Sequence, residues 1–145
     1  RCAAPGRRDR WVRGSLVRIL LDTHILLWWL DGHERLRPKV RKLLADGKNE
    51  LLWSAASTWE LAIKAQLGKV RLQESVASFV SRVMVSQNLT ALPIHHLHAA
   101  ATAELPMHHR DPFDRLLIAQ ASIEGVPLLT GDERMRDYDI DRIDA

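Results

Sequence analysis

The feature that most limits the fold of this chain is a series of short apolar runs separated by stretches of helical spacing. Residues 18–21 end at Asp22, residues 50–53 lead into Ser54, residues 90–94 precede a histidine-rich stretch, and residues 126–130 lead into Gly131 and Asp132. Runs this short and this apolar suit strands covered on both faces, the pattern of a buried parallel sheet. Between them the period changes. Residues 25–30 form an apolar helix stopped near Asp31 and Gly32. Pro38 opens a helix with Val40, Leu43 and Leu44 on one face, a position where its missing N–H costs nothing. A further helix runs from Ser54–Ser57 through Leu67 to a stop at Gly68, and another over 74–88 carries Val76, Phe79, Val80 and Val83. Residues 95–104 continue as helix. Pro112 opens the helix bearing Phe113, Leu116, Leu117 and Ala121, which ends at Gly125, and a last short helix precedes a strand near 140–143. Strands alternating with helices predict a three-layer α/β/α sandwich with a mainly parallel sheet. Ligands of such sheets lie outside the carboxyl ends of the strands.

The length of 145 residues fits one domain, and 46% hydrophobic with 27% charged residues excludes disordered and collagen-like compositions. No apolar run approaches a bilayer span, which predicts a protein with no membrane partner. The single cysteine, Cys2, excludes an intramolecular disulfide and a Cys-based zinc site and fits a reducing cytoplasm. The net charge of +3 is unevenly placed: residues 1–18 hold six arginines and one Asp, and the rest holds fifteen basic against seventeen acidic residues. The basic pI therefore belongs to the start of the chain and says little about nucleic acid. Residues 1–17 are expected to be a flexible basic extension and 18–145 the folded domain.

On this plan the acids collect. Asp22 follows the first strand and Asp132 lies two residues past the end of the fourth, so both fall at one sheet edge. Glu60 lies early in the helix after the second strand, and Asp111 and Asp114 bracket the start of the helix opened by Pro112. Carboxylates brought together repel unless protonated or bound to metal. An all-oxygen set favours Mg²⁺ or Mn²⁺ over zinc, and such a site can activate water against a phosphodiester. Each acid taken alone has a plainer reading; Asp22, Asp111 and Asp114 are all placed to cap helices. Glu60, flanked by Trp59, Leu61, Ala62 and Ile63, is not on an ordinary solvated face.

The segments ILLDTHILLWWL (19–30), SAASTWELAIKAQLGKVRL (54–72), LPMHHRDPFDRLLIAQA (105–121) and PLLTGDERMRDY (127–138) resemble PIN domains, specifically the VapC-type toxins of bacterial toxin–antitoxin pairs. The resemblance spans 18–143, and TWELAIK and DPFDRLLIAQA carry it. It implies a three-layer α/β/α fold, Mg²⁺-dependent endoribonuclease activity on RNA and inhibition by a small cognate antitoxin; a homodimer is expected as well. The family's acids fall on Asp22, Glu60, Asp114 and, at its more variable fourth position, Asp132. By this resemblance Asp22 and Asp114 are direct metal ligands, while Glu60 and Asp132 act through water or a second metal. Asp111 is an extra acid whose capping role is favoured over a reach to the metal. Thr23 and Thr130 could hydrogen-bond a phosphate or a ligand carboxylate. Arg110 and Arg115 could pair with the scissile phosphate or neutralise neighbouring acids.

The histidines at 95, 96, 98, 108 and 109 suggest a metal cluster only weakly, because they occupy a helix start and a loop. Trp28, Trp29, Trp53 and Trp59 are expected in core or interface, and the run Arg35, Arg37, Lys39, Arg41 and Lys42 on a solvated face that could steer RNA. An aspartyl-nucleophile phosphatase needs an acid where His24 stands, and a phospho-receiver needs a late lysine that is absent beside Thr130. The remaining alternatives are an RNA-processing PIN nuclease that is not a toxin, and a non-catalytic protein-binding module.

Overall fold

A computed structural model describes residues 16–145. Five strands, β1 (Arg18–Leu21), β2 (Glu50–Ser54), β3 (Leu89–Leu92), β4 (Leu128–Thr130) and β5 (Arg142–Asp144), form one sheet in the order β3-β2-β1-β4-β5, with every neighbouring pair parallel. The helices are α1 (Thr23–Asp31), α2 (Pro38–Ala45), α3 (Ala55–Gln66), α4 (Val76–Ser86), α5 (His96–Ala101) and α6 (Pro112–Glu124). The expected sandwich is therefore present.

Alternation along the central strands builds its two cores. Ile19 and Leu21 of β1, Leu51 and Trp53 of β2 and Leu129 of β4 pack with Ile25, Val40, Leu61, Phe79 and Val83 from α1 to α4. Leu20, Leu52 and Leu128 point the other way, against Leu117, Ile118 and Ala121 of α6 and against Met135 and Tyr138. Because both faces are covered, no polar residue interrupts residues 19–21. Each such side chain contributes about 1.5–3 kcal/mol by leaving water.

The connections at the carboxyl edge are very short, and this positions the site. Asp22 alone separates β1 from α1, and β2 passes directly into α3 with Ser54 as its cap. The Ser54 Oγ accepts the Ala56 amide and donates to Gln120 Oε1, while Gln120 Nε2 donates to the Pro93 carbonyl. One buried network thus ties β2, α6 and the end of β3. Gly32 and Gly125 close α1 and α6 in the left-handed region, at φ 63° and 64°.

Several boundaries differ from expectation. Residues 95–104 split at Ala101, after which 102–104 form a tighter 3₁₀ turn. The fourth strand begins at Leu128 and the fifth spans Arg142–Asp144. Val17, placed in the extension by sequence, is buried; its amide donates to Asn49 Oδ1 and its carbonyl accepts the Glu50 amide. The rest of the expected extension, residues 1–15, lies outside the described residues.

Candidate metal and catalytic site

Parallel pairing sets Leu21 beside Leu129, and the Asp22 amide donates to the Leu129 carbonyl. The Asp22 side chain therefore emerges beside Thr130. Its Oδ1 accepts the Thr23 amide at 2.7 Å, capping α1, and its Oδ2 accepts the Thr130 hydroxyl at 2.7 Å. The same hydroxyl accepts the Asp132 amide at 3.0 Å. Thr130 thus fixes one acid through its side chain and another through its backbone. Thr23 does similar work: its hydroxyl donates to Glu60 Oε2 at 3.3 Å, while Lys64 Nζ lies 3.0 Å from Glu60 Oε1. Both threonines are buried.

Asp114 enters from the first turn of α6. Asp111 caps that helix, its Oδ1 accepting the amides of Phe113 and Asp114. Burial pushes the Asp114 carboxyl up to about 8, and the negative charges of Asp22, Asp111, Glu60 and Asp132 push in the same direction. The acids named from sequence therefore converge on one buried carboxyl. Asp132 behaves oppositely. Burial raises it, but hydrogen bonds from the Arg134 guanidinium, the Arg134 amide and His109 outweigh burial and hold it down at about 2. Its Oδ1 accepts the Arg134 amide and Nε, and its Oδ2 accepts Arg134 Nη2 at 2.9 Å.

His109 is the residue that sequence reading underrated. It is only 2% exposed, with Nε2 2.8 Å from Asp114 Oδ2 and 3.0 Å from Asp132 Oδ2. The available signal was its position two residues before a helix-capping acid. Ser57 was also missed. It lies one turn before Glu60 on the buried side of α3, and among the described residues its hydroxyl has no hydrogen-bond partner.

The Arg115 guanidinium donates to the carbonyls of Thr102, Leu105, Pro106 and His109, which staples the segment before α6, and among the described residues no ion pair joins it to an acid of the site. His98 is likewise structural, accepting the His95 amide at Nδ1 and meeting Glu124 at Nε2. Trp53 is core and Trp29 donates to Gln87, but Trp59 is 58% exposed and meets Phe113 edge-on at 5.0 Å. Arg41 is turned inward onto the carbonyls of Gly32, His33 and Leu36 rather than outward.

This donor set suits a hard divalent cation. Its acids offer carboxylate oxygens, and the negative charges gathered around Asp114, which push its carboxyl up, are of the kind a bound cation would offset. The PIN-domain family profile matches residues 19–141, which include all four acids. The chain belongs to the PIN-domain family.

This PIN domain is 30% identical over 124 residues to Ribonuclease VapC22 of Mycobacterium tuberculosis, covering 85% of this chain and 93% of that protein. That likeness places the PIN domain with the VapC type. It is 39% identical to Ribonuclease VapC16 of the same organism over 62 residues, 43% of this chain and 44% of the relative. Among solved structures it resembles VapBC2 from Rickettsia felis bound to a promoter DNA fragment, with TM-score 0.67, 17% identity and coverage of 88% and 98% of the two chains. FitAcB from Neisseria gonorrhoeae is similar at TM-score 0.54 and 22% identity, covering 87% and 96%. PIN nucleases generally use a divalent metal, and the acid cluster of this PIN domain is of that kind. Among the described residues no helix is long and apolar enough to cross a membrane.

Proposed function

We propose that this PIN domain is an endoribonuclease dependent on Mg²⁺ or Mn²⁺, acting in the cytoplasm as the toxin of a toxin–antitoxin pair. The observation that carries the reading is the convergence of Asp22, Glu60 and Asp132 on buried Asp114 at the carboxyl edge of the sheet. Similarity to a protein named Ribonuclease VapC22 supports RNA as substrate, and similarity to VapBC and FitAB assemblies supports a cognate antitoxin. A homodimer is the assembly proposed, with the exposed Trp59 and Leu67 of the α3 region available to it.

In this reading Asp22 and Asp114 hold the cation directly, and Glu60 and Asp132 complete the site through water. The bound cation supplies Lewis-acid stabilisation of the developing phosphodiester charge and a more acidic water. The chain's own part is preorganisation. Thr130 aims Asp22, Thr23 and Lys64 restrain Glu60, and Arg134 fixes Asp132. Glu60, restrained by the Thr23 hydroxyl and the Lys64 ammonium, is placed to hold or orient a water.

The test is cleavage of a single-stranded RNA by the full chain with Mg²⁺, Mn²⁺ or chelator. Loss of cleavage with chelator and in Asp22→Asn and Asp114→Asn is the expected result. Undiminished cleavage with chelator overturns the metal dependence, undiminished cleavage in the variants overturns the assignment to these acids, and no cleavage by the wild type overturns the nuclease reading.

A further inference from the structure

We infer that His109 is a positioning residue, its Nε2–H donating to Asp132 while Nε2 packs against Asp114, and that it is not itself a ligand of the cation. The inference rests on the nuclease reading for its effect on cleavage, but its geometry stands independently.

His109, Asp114 and Asp132 place one nitrogen and two carboxylate oxygens within 4.8 Å of one another, which by itself resembles a metal triad. The other end of the ring decides against that. Nδ1 of His109 accepts the Asp111 amide at 3.1 Å, so this nitrogen is bare and the ring proton is on Nε2. A histidine that ligates a metal is arranged the other way: its bare nitrogen faces the ion and its N–H is held by an acceptor behind it. Here the N–H faces the acids.

The two oxygens it faces are not equivalent. Asp132 is already anchored by the amide and guanidinium of Arg134. Among the described residues no side-chain hydrogen bond is given to the Asp114 carboxyl, and His109 Nε2, 2.8 Å from its Oδ2, is the polar group set against it. His109 therefore carries the fixed position of Asp132 across to Asp114. It can do so because its own place is fixed. Its amide donates to the Tyr138 hydroxyl at 2.8 Å, and that hydroxyl donates to the Pro106 carbonyl at 2.9 Å. Within one short segment, Asp111 orients the ring and caps α6, and His109 orients the acid that α6 presents. The spacing H-x-D-x-x-D at His109, Asp111 and Asp114 is what this requires.

The test uses the full chain and needs no cleavage assay. Ring ¹⁵N spectra should show His109 protonated at Nε2, both without metal and at saturating Mg²⁺. Protonation at Nδ1, or movement of Nε2 to the position of a ligated nitrogen on adding Mg²⁺, overturns the inference. Mn²⁺ affinity is then compared in His109→Gln, His109→Asn and His109→Ala. Gln retains an N–H near the Nε2 position, whereas Asn keeps only an acceptor for the Asp111 amide. Gln should stay within about threefold of wild type, and Asn and Ala should lose about 10–100-fold, the usual cost of removing an outer partner of a metal site. If Asn matches wild type and Gln does not, His109 serves the loop alone and the inference falls; equal affinities in all three overturn it too. A wild-type chain with the expected spectra and Mn²⁺ pattern that cleaves no RNA sinks the nuclease reading and leaves the His109 assignment standing.

Discussion

Replacing Asp114 with Asn should remove most of the pH dependence of folding stability that the metal-free protein shows between pH 5 and pH 7.5. The carboxyl titrates at about 8 in the folded chain against an unperturbed 3.8. Between these values the folded state holds a proton that the unfolded state has released, so stability falls as pH rises. At about 1.4 kcal/mol per pH unit, reduced at the upper end where the folded carboxyl starts to ionise, the loss over this window is about 3 kcal/mol. For a chain of this size that corresponds to about 10 °C in Tm. Asp132 does not contribute to the slope. Its folded value, about 2, lies below 3.8, so its contribution is complete above both and is lost only as pH falls through 2. Urea unfolding of wild type and Asp114→Asn, in chelator at pH 5 and 7.5, isolates Asp114 because the other groups titrate in both proteins. Saturating Mn²⁺ should abolish the wild-type fall, since cation and proton compete for the same carboxyl. Parallel pH profiles for the two metal-free proteins would refute the claim that Asp114 is buried against four acids.

Other perturbations test neighbouring parts of the rim. Thr130→Val keeps the shape but removes the donor to Asp22 and the acceptor for the Asp132 amide, which should cost about 1–3 kcal/mol in unfolding experiments; calorimetric titration with Mn²⁺ should show weaker binding as well. Gly131→Ala would bring a Cβ to 2.8 Å and 2.9 Å from two Trp28 ring carbons and 3.2 Å from His24 Nε2. Thermal unfolding should show a loss of about 1–3 kcal/mol from that overpacking, and an unchanged Tm would mean that Trp28 has room to move. Asp111→Ala should destabilise by about 1 kcal/mol through loss of the α6 cap. The His109 ring, held by the backbone amide of residue 111, should keep its Nε2–H tautomer in ¹⁵N spectra of this variant.

Much of the architecture was legible because local and tertiary demands coincide. Residues 19–21 are apolar on both faces and are buried on both; Pro38, Pro112, Gly32 and Gly125 mark helix ends through backbone geometry that needs no partner. The acids were legible in the same way, since an Asp directly after a strand can only emerge at the sheet edge. Arg115 and His109 were not. The roles of both depend on groups distant in sequence: the carbonyls of the 102–109 segment for Arg115, and Asp132, 23 residues away, for His109. Sequence spacing supplies the chemical type of such residues but not the direction in which they point. The Trp28–Gly131 approach is similar, a contact between α1 and the turn after β4 that only the sheet order β2-β1-β4 creates.

The Thr130–Asp22 hydrogen bond joins residues 108 positions apart, near the beginning and the end of the described sequence. During synthesis, Asp22 leaves the ribosome long before the hydroxyl that aims it, and Asp132 follows later still. A nascent chain cut short before β4 therefore has its first acids but neither the strand that orients Asp22 nor the anchor that fixes Asp114 through His109. The full arrangement of the acid rim therefore depends on the last part of the domain to be made.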